Sequence, residues 1–90
     1  MSTVKGKTAK KPKGPFWYWT TLGPRNVNLT DRPAQLPAGN YELFWDFRGN
    51  PGDAFEFHLT DSAGKKIADV ADKIAPGQVD GWGQKPFVVA

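Results

Sequence analysis

The side chains that carry out most enzymatic reactions are scarce in this sequence. It contains one histidine, His58, two serines, Ser2 and Ser62, and no cysteine. Nucleophilic catalysis needs an activated Ser, Thr, Cys or Lys beside a base that a third group holds in place. Structural zinc needs three or four converging His, Cys or carboxylate ligands. The sequence therefore predicts a protein that is not an enzyme and that binds neither a metal ion nor a cofactor.

The carboxylates and glycines add little to this chemistry. Glu42 and Glu56 could be paired as the acid and base of a glycoside hydrolase, but a chain of 90 residues leaves little room for a cleft that distorts a sugar ring. Asp53 and Asp80 lack the regular spacing and terminal Glu of a calcium loop. The ten glycines are scattered singly at turns instead of forming a phosphate-binding loop. Because catalytic and metal-binding patterns are missing, the sequence predicts that the protein functions by binding a partner or ligand.

The aromatic residues are the strongest indication of a binding function. They make up 13% of the chain and include four tryptophans, more than a small domain needs for its core. In Phe16-Trp17-Tyr18-Trp19 an extended backbone sends alternate side chains to opposite faces, so one pair is expected at the surface. Packing favours Trp17 and Trp19 in the core. A functional interpretation takes Trp17, Tyr18, Trp19 and Trp82 as ligand-binding residues, with Trp82 on a loop tip or folded back as a lid.

The positive charge of the chain is concentrated at its start. The net charge is +3, yet the first 14 residues hold five lysines and no acid, and the remaining 76 residues have a balance of −2. This stretch shows no apolar periodicity and buries too little surface to offset the entropy of ordering it. We expect residues 1–14 to be a flexible arm and residues 15–90 to be one β domain. The arm is either a solubilising extension, a cloning remnant or a contact for an anionic partner through Lys5, Lys7, Lys10, Lys11 and Lys13.

Two runs with a period of two predict the best-defined strands. Tyr41, Leu43, Trp45 and Phe47 alternate with polar residues, interrupted only by Phe44, and residues 55–60 repeat the pattern. The Gly- and Pro-containing segment between them predicts an antiparallel hairpin. Opposite charges favour the register in which the cross-strand pairs are Trp45 with Leu59, Phe47 with Phe57, Arg48 with Glu56, and Asp46 with His58.

The remaining strands are less clearly marked. Residues 16–22, 27–30 and 83–89 are candidates, and Pro86 suits an edge strand. Helical spacing is shown by Ile67, Val70, Ala71 and Ile74, but residues 65–70 directly follow a turn, which favours a return strand. Five to seven short strands predict an all-β fold, a small antiparallel β-sandwich or barrel of immunoglobulin-like or jelly-roll-like form.

Three binding functions are compatible with this sequence. The first is a docking or assembly module that contacts a protein partner, a second copy of itself or a larger particle, such as a virion or a surface assembly, through aromatic anchors and the arm. The second is a carbohydrate-binding module whose Trp and Tyr rings stack on sugars. The third is single-stranded nucleic-acid binding, which the acidic balance of the body disfavours. No signal peptide or membrane span is expected, and the compartment stays open.

Overall fold

The computed structural model describes all 90 residues and is built from β-strands alone. Eight antiparallel strands form two four-stranded sheets that pack together in a sandwich-like arrangement, so the predicted all-β fold is confirmed, whereas the predicted number of five to seven strands is too low. Sheet 1 has the order β4-β1-β6-β7, and sheet 2 has the order β3-β2-β5-β8. The strands are β1 (Ser2–Lys10), β2 (Phe16–Leu22), β3 (Arg25–Asn28), β4 (Pro33–Leu36), β5 (Gly39–Arg48), β6 (Ala54–Thr60), β7 (Lys66–Lys73) and β8 (Asp80–Val89).

The core lies between the two sheets and is mainly aromatic. Tyr18 from sheet 2 stacks on Phe57 from sheet 1 with ring centroids 3.9 Å apart. Phe47 and Phe55 also meet across the sandwich, at 4.8 Å. The inward faces predicted for the two alternating runs are confirmed, because Tyr41 is half-buried against the core and all of the following side chains are buried: Leu43, Trp45, Phe47, Phe55, Phe57 and Leu59.

The hairpin predicted from those two runs is wrong. Strand β5 pairs with β2 and β8 in sheet 2, whereas β6 pairs with β1 and β7 in sheet 1. Residues 49–53 therefore carry the chain from one sheet to the other. Alternation shows which side chains face inward, but it is the same for two strands side by side and for two strands facing each other across a core.

The charged side chains of that predicted hairpin have other cross-strand neighbours in the structure. Arg48 lies opposite Asp80 on β8. His58 lies opposite Lys7 on one side and Asp69 on the other. These neighbours belong to strands that the hairpin register did not include.

The flexible arm predicted for residues 1–14 is also wrong over most of its length. Strand β1 occupies a central position in sheet 1, paired with β4 and β6. Val4 and Gly6 are buried, whereas Lys5 and Lys7 point outward. The sequence pattern does not reveal this strand, because its inward-facing positions are occupied by small residues. A side chain on Gly6 would collide with the Leu29 carbonyl oxygen and the Tyr18 ring, so the absence of a side chain there allows close packing.

The last two strands follow the sequence-based expectation. Strand β7 is the return strand after β6, and residues 65–74 form no helix. Strand β8 is an edge strand of sheet 2, with Pro86 opposite Glu42. A proline is tolerated there because an edge strand leaves part of its backbone unpaired.

Trp45 provides the first test of the core. The residue is 9% exposed, and its indole nitrogen donates a hydrogen bond to Asp72 Oδ2 across the sandwich at 2.9 Å. Trp45→Ala should lower the free energy of unfolding by about 3–5 kcal/mol, because it removes a large buried ring and leaves a cavity. Urea unfolding followed by circular dichroism measures this. Trp82→Ala, at a side chain that is 76% exposed, is the matched control and should change stability by less than about 0.5 kcal/mol. A loss below about 1 kcal/mol for Trp45→Ala would contradict its place in the core.

Asp53 gives the second test, since its carboxylate ties together two chain segments. Its Oδ2 accepts hydrogen bonds from the backbone N–H groups of Asn50, at 3.0 Å, and Lys13, at 3.1 Å. These hydrogen bonds lower the pKa of Asp53 below its ordinary value. A lowered folded-state pKa stabilises the fold above the unfolded pKa, and this contribution is lost as the pH falls through the folded pKa.

The expected result is a pH-dependent difference between Asp53→Asn and the unchanged chain. The melting temperature of Asp53→Asn should be lower at neutral pH, and the difference should shrink as the pH falls below about 4. Thermal unfolding across that range measures it. Glu42→Gln, which removes an exposed carboxylate that lies opposite Pro86 and forms no ion pair, is the control. A difference that stays constant with pH would show that the charge of Asp53 is not responsible.

Candidate functional site

Strand β2 places its two tryptophans on the outer face of sheet 2. Tyr18 and Thr20 of this strand are fully buried and point into the core, so Trp17 and Trp19 point outward. Trp17 is 39% exposed, and Trp19 is half-buried. The expectation that Trp17 and Trp19 fill the core is therefore wrong. The alternation of β2 is correct, but the pair chosen to face inward was the opposite one.

Tyr18 faces inward because its hydroxyl group has polar partners there. It lies 3.0 Å from Thr8 Oγ1 and accepts a hydrogen bond from the backbone N–H of Asp31 at 3.1 Å. Burial raises the pKa of the Tyr18 phenol above its ordinary value, although these two hydrogen bonds act in the opposite direction. The partners come from β1 and from the loop after β3. The structure thus separates Tyr18 from the other predicted ligand-binding residues and makes it part of the core.

Trp82 lies within edge strand β8, neither on a loop tip nor folded over the end of the sandwich. Its neighbours Gly81 and Gly83 face inward, where an added side chain would collide with the rings of Phe47 and Trp45. The glycines therefore make room for the core. They leave Trp82 pointing outward, with 76% of its surface exposed.

Strand register brings these outward residues into rows across sheet 2. Trp17 lies opposite Asp46, which lies opposite Trp82, so a carboxylate stands between two tryptophans. Neighbouring strands are about 4.8 Å apart, which sets the two tryptophan backbones roughly 10 Å apart. In the next row Trp19 packs beside Phe44, with ring centroids 5.8 Å apart. We call the surface formed by Trp17, Trp19, Phe44 and Trp82 the aromatic face.

Phe44 and Asp46 are functional candidates that the sequence-based site did not include. Phe44 was visible as the one interruption of the alternating pattern in residues 41–48. An apolar side chain at an outward position is the signal for an exposed aromatic. The role of Asp46 depends on the pairing of β5 with both β2 and β8, which no local pattern indicates.

Amide groups line one side of the aromatic face. Asn28 lies opposite Trp19, and Asn26 lies opposite Thr21, both on edge strand β3. Together with Trp17 and Trp19 they enclose an open cleft of about 310 Å³. This cleft combines aromatic surface with hydrogen-bonding groups.

The outer face of sheet 2 also has a negative charge balance. Its outward positions on β5 and β8 include Glu42, Asp46 and Asp80 but a single cation, Arg48. No lysine lies at these positions. Lys85 belongs to β8, but it lies opposite buried Leu43 and donates a hydrogen bond from Nζ to the Asp69 carbonyl oxygen at 3.0 Å.

The lysines predicted to form the anionic-partner arm lie elsewhere. Lys5 and Lys7 project from the outer face of sheet 1, and Lys10 there forms an ion pair with Glu56 at 3.5 Å. Lys11 and Lys13 are exposed in the connection between β1 and β2. The aromatic face and the lysines of β1 therefore lie on opposite sheets.

Two further observations concern metal ions and membranes. No three His, Asp or Glu side chains converge in an arrangement that could hold a metal ion. The structure contains no helix, and hence none that could span a membrane.

The comparisons with known proteins return no match among protein-family models, curated proteins or solved structures. The aromatic face is therefore the feature of the molecule from which a function can be inferred.

Collisional quenching tests the exposure of the tryptophans. Trp17→Phe/Trp82→Phe should remove most of the emission that acrylamide quenches, because these are the two exposed indoles. Trp45→Phe, at the buried indole, is the control and should leave the quenchable emission intact. Equal quenching of all variants would contradict the assignment of Trp17 and Trp82 to the surface.

Proposed function

We propose that this chain is a non-enzymatic binding domain that docks onto a protein partner through the aromatic face. The observation that carries the proposal is the row in which Asp46 lies between Trp17 and Trp82. Tryptophan is among the residues that contribute most to binding energy in protein interfaces, and exposed clusters of such residues mark interaction surfaces.

The charge of this face selects a basic partner segment. A cation over a tryptophan ring is attracted by the ring quadrupole, and a carboxylate beside it adds a charge-assisted hydrogen bond. An arginine side chain satisfies both requirements because its guanidinium group is planar and presents a fork of donors. Non-bonded atoms meet at about 3.5–4.0 Å, so a planar group between two rings needs them about 7–8 Å apart. The roughly 10 Å between the two backbones leaves room for this arrangement.

The scaffold supports binding because it holds the face in place. Asp46 belongs to β5, a central strand that is paired along both edges. Phe47, the next residue along β5, is fully buried and fixes the strand against the core. A surface ordered before binding loses less conformational entropy when the partner arrives.

Short synthetic peptides test the proposal directly. The peptides should include arginine-containing sequences and matched versions in which glutamine replaces arginine. We expect the arginine peptides to bind and Trp17→Ala/Trp82→Ala to raise their Kd about tenfold or more. Asp46→Asn should weaken binding several-fold and reduce its dependence on salt. Isothermal titration calorimetry measures these affinities.

Val88→Ala is the matched control for these variants. Val88 is 58% exposed and lies on the same strand and face as Trp82, but outside the row. Its substitution should leave Kd unchanged. The proposal would be overturned if Kd were the same for the arginine and glutamine peptides, or if Trp17→Ala/Trp82→Ala left Kd unchanged. Sedimentation of the full chain at high concentration separates docking onto a different protein from self-assembly.

Carbohydrate binding is the second candidate function, and the cleft beside β3 favours it. Trp17 and Trp19 offer ring surfaces, and Asn26 and Asn28 offer amide donors and acceptors within the same cleft. Apolar faces of sugars stack on aromatic rings while polar side chains bind the hydroxyl groups.

A panel of soluble polysaccharides distinguishes this candidate from protein docking. A change in tryptophan fluorescence that is insensitive to salt and is abolished by Trp19→Ala or Asn28→Ala would support sugar binding. No response across the panel would exclude it for the sugars tested. Val88→Ala serves as the control here as well.

A further inference from the structure

A second candidate site lies on the opposite side of the sandwich, on the outer face of sheet 1. It is an open groove of about 560 Å³ between β1, β6 and the segment that leads into β4. Its lining contains no hydrophobic residue. We call it the basic groove, and the side chains that define it are Lys5, Lys7, Arg32, His58 and Thr60.

Strand pairing sets the positions of four of these side chains. Lys5 lies opposite Thr60, and Lys7 lies opposite His58. Lys5 and Lys7 are two residues apart on one strand, so their side chains leave the same face about 6.6–6.8 Å apart. This distance lets two ammonium groups approach one anionic group from both sides.

Arg32 is brought to the groove by contacts between its loop and β1. The backbone N–H of Gly6 donates to the Arg32 carbonyl oxygen at 3.2 Å. The backbone N–H of Thr8 donates to Asp31 Oδ1 at 2.7 Å. The collision that any side chain on Gly6 would cause with Leu29 shows how closely this loop crosses β1. The groove is therefore part of the folded scaffold.

The cations of the groove have no acidic partners. On the same sheet, Lys10 forms an ion pair with Glu56 and Lys66 forms one with Asp69, but Lys5, Lys7 and Arg32 form none. Asp31 is the single carboxylate of the lining. Its Oδ1 is occupied by the Thr8 N–H and lies within hydrogen-bonding distance of the Tyr18 hydroxyl. Three cations thus face one carboxylate that is already engaged in holding the loop.

We propose that the basic groove binds the phosphate or sulfate ester group of a polar small molecule such as a sugar ester. Lysine and arginine donate charge-assisted hydrogen bonds to such oxyanions, and arginine does so in bidentate fashion. The Thr60 hydroxyl supplies a further donor. The volume exceeds that of a lone oxyanion, and the imidazole of His58 and the hydroxyl of Thr60 can bind the hydroxyl groups of a sugar.

A nucleic-acid strand fits this site less well. Single-stranded nucleic acids are bound by aromatic side chains that stack on bases beside a positively charged groove. Here the imidazole of His58 is the only aromatic ring in the lining, and the exposed tryptophans lie on the other sheet. Bases on the aromatic face and phosphates in the basic groove would have to be separated by the whole sandwich.

Nuclear magnetic resonance titration of the full chain provides the test. The probes are glucose 6-phosphate, glucose 6-sulfate, inorganic phosphate and unmodified glucose, each against sodium chloride at equal ionic strength. We expect the amide signals of Lys5, Gly6, Lys7 and Arg32 to shift in a saturable manner with the esters but not with glucose or chloride. Lys7→Gln and Arg32→Gln should each raise Kd about tenfold, because each removes a charge-assisted hydrogen bond.

Lys73→Gln is the control, because it removes an exposed lysine of sheet 1 that lies outside the groove. It should leave Kd unchanged. If one ester binds more tightly than the other, the site prefers phosphate or sulfate accordingly. If inorganic phosphate binds as tightly as glucose 6-phosphate, the site recognises the anion alone. Shifts that do not saturate, or that Lys7→Gln and Arg32→Gln leave unchanged, would overturn the proposal. Saturable binding of a short single-stranded oligonucleotide at the same residues, without binding of the sugar esters, would replace the ligand proposed here with a nucleic acid.

Discussion

The structure depends on burying one layer of aromatic rings between two sheets without any disulfide bond. Tyr18, Phe47, Phe55 and Phe57 meet across the sandwich, and Tyr18 stacks on Phe57 at 3.9 Å. Each strand gives one face to this layer, so its other face is necessarily outside. The same constraint that forms the core therefore arranges the outward side chains in regular rows. The aromatic face and the basic groove are two such outer surfaces, one on each sheet.

Local pattern was sufficient to predict which side chains of β5 and β6 are buried, but not which strands are neighbours. The period of two identified the inward residues Trp45 and Phe57, whose rings meet edge to face at 5.9 Å. The same pattern arises whether two strands lie in one sheet or in facing sheets, so the hairpin and its register were wrong. Sheet order is a property of the whole chain, and the Trp17–Asp46–Trp82 row follows from that order.

Strand β1 was missed because its inner face is made of small residues. Val4, Gly6 and Thr8 point inward at a place where Tyr18 and the loop containing Leu29 come close to the strand. Little space remains for larger side chains, so the hydrophobic signal is weak although the packing is tight. The wrong choice of the inward-facing pair in β2 has a related cause. The buried Tyr18 hydroxyl has its hydrogen-bond partners in Thr8 of β1 and in Asp31, and composition alone does not place either residue beside the core.

The position of β1 changes what its lysines can do. In a flexible arm, each contact with an anion would have to offset the entropy lost when the arm becomes ordered. In a central strand the backbone is already fixed, so Lys5 and Lys7 hold their spacing before any ligand arrives. The two outer surfaces are also separated by the core, since stacked sheets lie about 10 Å apart and outward side chains lie farther still. Changes on one surface are expected to add to changes on the other without coupling. A ligand that needs aromatic stacking and phosphate contacts within a few ångströms of each other would find only the aromatic rings on sheet 2 and only the cations on sheet 1.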